Sequence, residues 1–182
     1  DMSQFQGNGM TTRVWAFSLP ALIIPFVWLC LGRERRARWP YPDLTDIFLV
    51  LPFLLDTAGN SANLYDSITW FDDAMHMITW IPWVIAFGLL LHYAPRANEI
   101  PRWAFFGVVV GFGAVTHIIW ELLEYIIFIR FSDELATAYT DTLGDLTMSL
   151  GGTIIGAILI VTVLWKLGVK QSTPIDQTSS GS

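Results

Sequence analysis

The run from Trp103 to Phe131 is long and apolar enough to cross a bilayer, yet it contains His117-Ile-Ile-Trp-Glu121-Leu-Leu-Glu124. A spanning helix needs about 20 predominantly apolar residues. At about 100° per residue, His117 and Glu121 fall about 40° apart around such a helix, and Glu124 about 60° back from Glu121. One face therefore carries an imidazole and two carboxyls, while the rest is Ile, Leu, Val and Phe. A charge at mid-bilayer costs roughly 2.5–3.5 kcal/mol even on lenient insertion scales. A water-filled cavity, a cation or partners on neighbouring helices must offset that cost. The chain is thus constrained to a membrane bundle whose other spans supply what this one lacks.

Composition agrees with that constraint. The 182 residues are 53% hydrophobic and 14% charged, with a mean hydropathy of +0.50, a balance that excludes an ordinary soluble domain. The formal net charge is −6, but the acids gather at helix ends. No basic stripe alternates with aromatics, so nucleic acid is not an expected partner. Cys30 is the only cysteine, which rules out an intrachain disulfide and a cysteine-based zinc site. A single transmembrane domain is expected over 12–169, between tails at 1–11 and 170–182. Met2 and Met10 are candidate starts, so residues 1–9 and 177–182 read as native tails or as processed or vector-derived ends. The cluster Arg33-Glu-Arg-Arg-Ala-Arg38 resembles a stop-transfer flank more than a signal-peptide cleavage site.

About five spans are expected in an all-α bundle. The first covers 12–31, with Pro20 and Pro25 bending it, and the second runs from about Leu44 to Ala58 around Pro52. The polar stretch Asp56 to Asp66 reads as a loop. A third span runs from about Asp72 to Tyr93 with Asp72 as its N-cap, the fourth is the helix described above, and the fifth runs from about Asp141 to Leu167. The pairs Gly107/Gly111 and Gly152/Gly156 have the small-xxx-small spacing that lets membrane helices pack closely. Orientation follows from Lys and Arg. The loops at 33–38 and 94–102 and the C-terminal end (Lys166, Lys170) carry them, whereas the loops at 59–71 and 131–140 have none. The N-terminus is therefore expected outside and the C-terminus in the cytoplasm.

That orientation brings Asp56, Asp72, Asp73, His76, His117, Glu121, Glu124, Asp141 and Asp145 to the outer ends of different spans. Asp43, Asp46, His92 and Glu99 fall on the inner side, and Asp66, Asp133 and Glu134 read as interfacial polar residues. The spacings Asp73-x-x-His76, Asp72-x-x-x-His76, His117-x-x-x-Glu121-x-x-Glu124 and Asp141-x-x-x-Asp145 each place ligand-bearing side chains on one helix face. The expected metal ligands are Asp73, His76, His117, Glu121, Glu124, Asp141 and Asp145. Oxygen-rich ligands favour Mg, Ca or Mn, and two histidines also admit Zn or Fe. Without a metal, some of the acids must carry protons, because like charges in contact disfavour ionisation.

The same residues carry a resemblance. Asp73-x-x-His76, then Glu121-x-x-Glu124, then Asp141-x-x-x-Asp145-x-x-x-Ser149-x-x-Gly152-x-x-x-Gly156 resembles the VanZ-like and YjdF-like bacterial membrane proteins over about 44–165. In the VanZ-like pattern Gln usually stands at the position of Glu124 and Asn at that of Ser149, and here no arginine immediately precedes Asp141. These departures lean to the YjdF-like side and make the site more acidic. The resemblance implies a multi-pass protein of the bacterial inner membrane, tied in some members to glycopeptide-antibiotic resistance.

Three functional classes stay open. In the first, an enzyme acts on an outer-leaflet lipid or amphiphile; its divalent metal polarises an ester or phosphoryl oxygen, Glu121 or Glu124 is the catalytic base, and His76 is a ligand or acid. The second is a proton- or cation-coupled transport module, and the third an accessory subunit of a membrane complex. The expected partners are the lipid bilayer, a lipid or amphiphilic small molecule, and other membrane subunits. The reading favoured by the residues is an outward-facing carboxylate/histidine site that binds a metal or other cation.

Overall fold

The structure is a computed structural model that describes residues 10–38, 41–94 and 96–166. Most of both tails, Lys170 among them, lies outside the described residues, as do the side chains of Asp133 and Glu134. The described residues contain no strand. The helices are α1 (Met10–Cys30), α2 (Arg33–Arg38), α3 (Asp43–Ser61), α4 (Leu64–Ser67), α5 (Phe71–His92), α6 (Arg102–Glu124) and α7 (Ala138–Lys166). Single 3-10 turns at Ala97–Glu99 and Asp133–Ala136 lie in the last two connections. α6 runs on into a π-helical turn, Tyr125–Ile129, closed by the Arg130 N–H donating to the Tyr125 carbonyl at 3.0 Å.

Local chemistry sets the boundaries. Pro42 and Pro101 stand immediately before α3 and α6, where a missing N–H and a fixed φ are tolerated. Asn63 and Arg96 adopt left-handed φ values of 56° and 64° and interrupt the helical path, Asn being among the residues that accept this conformation best. The expected loop from Asp56 to Asp66 is a correction: α3 continues through Ser61, and α4 follows after two residues. Its polar side chains are satisfied within the helical path. Asn60 Nδ2 donates to the Asp56 carbonyl at 3.0 Å, and Tyr65 Oη donates to Asp56 Oδ1 at 2.8 Å.

α5 is the central helix. It packs along most of α7 and also against α3 and α6, while α1 rests on α3. By length and apolarity, α5, α6 with most of its π turn (Arg102–Ile127) and α7 can each cross a membrane. The other two expected spans are present as the helices α1 and α3. The apolar part recognised in α1 is Ala21–Cys30, and α3 is broken up by Asp43, Asp46, Asp56 and Asn60. Val115, Ile118, Ile119 and Leu122 on α6, with Ile154, Ile155, Ile158 and Leu159 on α7, are exposed. An apolar surface of that extent marks a lipid-facing wall.

Two devices hold the bundle. The first is steric. A Cβ on Gly152 would lie 2.2 Å from the Met77 carbonyl oxygen, and one on Gly156 would lie 2.8 Å from that of Ile81. Small residues thus let α7 approach the α5 backbone directly. Gly107 and Gly111, expected to do the same for α6, have nothing within 4 Å of a Cβ; Gly113 does so instead, its Cβ position lying 2.5 Å from Thr153 Cγ2. The second device is polar. Trp80 Nε1 donates to the Gly113 carbonyl at 3.2 Å, and Trp83 Nε1 to Thr116 Oγ1 at 3.1 Å, tying α5 to α6. Beneath them Val84, Phe105, Val109, Ala157 and Leu164 form a buried apolar centre.

Gly152→Ala should therefore lower stability by about 1–3 kcal/mol, the usual cost of overpacking. Gly111→Ala should be neutral or stabilising by up to about 1 kcal/mol, since Ala is the better helix former. Thermal unfolding in detergent distinguishes them, and equal losses from the two substitutions would contradict the packing described here.

Candidate functional site

The start of α5, the end of α6 and the start of α7 meet at one end of the bundle, and each brings polar side chains one helical turn apart. Asp72 and His76 project from α5, Asp145 and Ser149 from α7, and His117 and Glu121 from α6, with Glu124 three residues further on. Such i, i+4 pairs share a helix face. Because α7 lies against α5 through glycine, its polar stripe reaches the α5 imidazole directly.

His76 is the hub. Its Nδ1 is 3.2 Å from Ser149 Oγ and 3.8 Å from Glu121 Oε1, while its Nε2 is 3.5 Å from Asp145 Oδ1 and 3.8 Å from Asp72 Oδ1. The indole of Trp80 stacks on the imidazole, with ring centroids 6.2 Å apart, and meets His117 edge-on at 5.3 Å. His117 Nε2 stands 4.0 Å from Glu121 Oε1. His76, His117, Glu121 and Asp145 are all buried, at 7%, 2%, 6% and 4% exposure. Glu121 Oε1 and His117 Nε2 have no hydrogen-bond partner among the described residues. Leaving such groups unsatisfied in a low-dielectric interior costs roughly 1–3 kcal/mol each, and more when charged.

Two overlapping ligand sets result. Asp72, His76 and Asp145 each present a donor atom within 4.8 Å of the others, and so do His76, Glu121 and Glu124. His76 belongs to both. The mixture of carboxylate oxygens with one imidazole is a donor set for a divalent cation of the Mn, Fe or Zn kind.

Of the seven side chains expected to ligate, His76, Glu121, Glu124 and Asp145 come together. His117 lies behind Glu121. Asp141 is exposed, one turn outward from Asp145 on α7. Asp73 is exposed and lies beside Gly144 of α7, outside both sets. Its neighbour Asp72 faces His76 instead. Asp72 is not the N-cap of α5, a position held by Trp70. The spacing Asp72-x-x-x-His76 was visible in the sequence, but only the position of α7 decides between the two aspartates. Ser149 and Trp80, which touch the imidazole, were not singled out as site residues; the signals for Ser149 are its place four residues after Asp145 and its position in the VanZ-like motif, where Asn is usual.

A cavity of about 390 Å³ opens beside the cluster. Asp72, His76 and Glu124 line it, together with Asp56 and Tyr65 from α3 and α4 and the aromatic walls of Trp80, Trp83 and Trp120. Its volume is in the usual range of small-molecule sites, about 300–1,000 Å³.

Comparison with known proteins gives one family. No curated protein and no solved structure matches the chain. Residues 5–166 match the family model described as "Predicted membrane protein (DUF2238)". Since that match takes in α5, α6, α7 and every residue of the cluster, the chain belongs to the DUF2238 family of membrane proteins.

Proposed function

We propose that this membrane protein binds a divalent cation in the cluster of Asp72, His76, Glu121, Glu124 and Asp145. The observation that supports this most is the sharing of His76 by two ligand sets contributed by three helices. Neither Glu121 nor Asp145 has a Lys or Arg partner among the described residues. A buried carboxylate is costly unless paired or coordinated, and a dication offsets several at once. The Lys/Arg bias of the loops supports a position of the cluster at the outer leaflet. The VanZ-like and YjdF-like motif order, with the acidic Glu124 in place of Gln, includes four of these five residues, His76, Glu121, Glu124 and Asp145, and has Asp73 where the cluster has Asp72. In this reading Ser149 and Trp80 position the His76 ring, the role that outer-shell groups play around metal-binding histidines. His117 is held in reserve behind Glu121, close enough to hydrogen-bond it after a small shift. Any reaction at the centre would have Glu121 or Glu124 as its base, with the bacterial inner membrane as its location.

Elemental analysis of the detergent-purified protein should find about one divalent metal per chain, the count expected for one buried cluster. Glu121→Gln should lose it while unfolding at the same temperature as the chelator-treated wild type or above, because without metal the substitution relieves a crowd of like charges. Metal retained in that variant would refute the assignment.

The two neighbouring aspartates offer a sharper test. Asp72→Asn should weaken Mn²⁺ binding, followed by electron paramagnetic resonance, by about tenfold or more, as loss of a direct ligand should cost at least as much as loss of an outer-shell partner. Asp73→Asn should leave it within about twofold, the screened effect of an exposed charge. The opposite ranking would put Asp73 in the site and the described α5 orientation in error.

A further inference from the structure

The end of the bundle away from the cluster is built from basic and aromatic residues that the cation site does not use. Ala86, about 15 Å along α5 from His76, packs there with Ile24 of α1, Leu49 of α3 and Tyr41. α2 lies at this end, between α1 and α3. Its six residues hold four arginines and one glutamate. Two guanidiniums at this end lie over indoles, Arg36 over Trp28 with Cζ 5.3 Å from the ring centroid and Arg102 over Trp165 at 5.5 Å. Such pairs suit the membrane–water boundary, with the ring at the chains and the charge among the head groups. Phe26 and Leu29 of α1 and Leu44 and Ile47 of α3 are exposed on either side of α2 in the chain, so hydrocarbon borders it.

Arg36 is held in place but not neutralised. Trp28 meets Tyr41 edge-on, with centroids 5.5 Å apart, and Tyr41 Oη donates to Asp46 Oδ2. The anchored indole covers one face of the guanidinium. Its in-plane N–H groups have no acceptor among the described residues, and Arg33, exposed one turn earlier on the same side of α2, has none either. Arg96, also at this end, differs: its Nη2 is 2.8 Å from Glu99 Oε2. A guanidinium with a covered face and an open edge presents the planar fork that phosphate oxygens match in pairs. Four arginines beside one glutamate add the excess charge that draws anionic head groups to a juxtamembrane segment. A zwitterionic head carries its own ammonium and is drawn less.

We propose that α2 holds an anionic phospholipid of the adjoining leaflet, its phosphodiester on Arg36 and Arg33 and its chains in the surrounding bilayer. This site shares no residue with the cation cluster and does not depend on it.

The test uses the whole protein, purified in a non-ionic detergent and stripped of lipid. Phosphatidylglycerol and phosphatidylcholine with identical short acyl chains are titrated in turn, and bound lipid is counted by native mass spectrometry. Phosphatidylglycerol should bind saturably and about tenfold or more tightly than phosphatidylcholine, the size of one charge-assisted hydrogen-bond contribution. Arg36→Gln should remove most of that advantage. Arg36→Lys should also reduce it severalfold, because the charge stays while the fork and the flat stack are lost. Arg33→Gln, which disturbs no ring contact, should repeat part of the loss and keeps the test independent of folding around Trp28. Arg96→Gln, at the same end but already paired, should leave the advantage within about twofold. Equal binding of the two lipids would overturn the proposal. Equal losses from Arg96→Gln and Arg36→Gln would overturn it too, since the preference would then belong to the general field of that end. Displacement of phosphatidylglycerol by inorganic phosphate at equal concentration would overturn the lipid as occupant and leave a site for the free anion.

Discussion

The backbone contact between α5 and α7, where a Cβ on Gly152 would lie 2.2 Å from the Met77 carbonyl oxygen, sets the position of the polar groups in the bundle. In lipid there is no hydrophobic force to draw one apolar helix to another, so close packing and interhelical polar contacts must do it. Here the two act in sequence along the same helix. Gly152 and Gly156 bring α7 against α5, and one to two turns outward Ser149 and Asp145 consequently fall within 3.2 Å and 3.5 Å of the His76 ring. A larger side chain at 152 would move the carboxylate and the imidazole apart without touching either. The site is in this sense an outcome of the packing, and its geometry is as rigid as the glycine contact beneath it.

α6 joins under a different rule. It approaches α5 through Gly113 and through the indoles of Trp80 and Trp83. Trp80 is then spent twice, since its ring also stacks on His76 and meets His117 edge-on. One side chain therefore fixes the depth of α6 and the plane of the central imidazole together. The π turn at Tyr125–Ile129 begins just beyond Glu124. Such turns are frequent at functional sites, and this one ends the regular α-helical register of α6 immediately after its last site residue.

The sequence made the acids and histidines legible because a bilayer makes such residues expensive. Their convergence was legible because Lys and Arg orient the loops, which places the start of α5, the end of α6 and the start of α7 at one end. What it did not disclose is azimuth. Asp72 and Asp73 both lie within a turn of His76, and periodicity ranks them equally; in the structure Asp72 turns to His76 and Asp145, while Asp73 lies beside Gly144, away from the imidazole. Glycines posed the same problem. Gly107 and Gly111 have the expected spacing but look into open space, while Gly113 meets Thr153 and Val84. In a soluble helix the apolar face points to the core, but here lipid and core are equally apolar, so the pattern gives no direction. The extension of α3 through Ser61 was hidden for another reason. Asp56, Asn60 and Tyr65 look like loop residues until their mutual hydrogen bonds are seen.

The glycine contacts also bear on how relatives of this chain can diverge. A Cβ at 113 would meet the side chains of Thr153 and Val84, and side chains can be exchanged for smaller ones, so volume gained at that position can be returned at another. At 152 the nearest atoms are the Met77 carbonyl oxygen, its carbon and the Met77 Cα. No substitution removes a carbonyl. Position 113 is therefore free to covary with 153 and 84, whereas position 152 has no second site that can compensate it and is held to glycine for as long as α5 and α7 keep this distance.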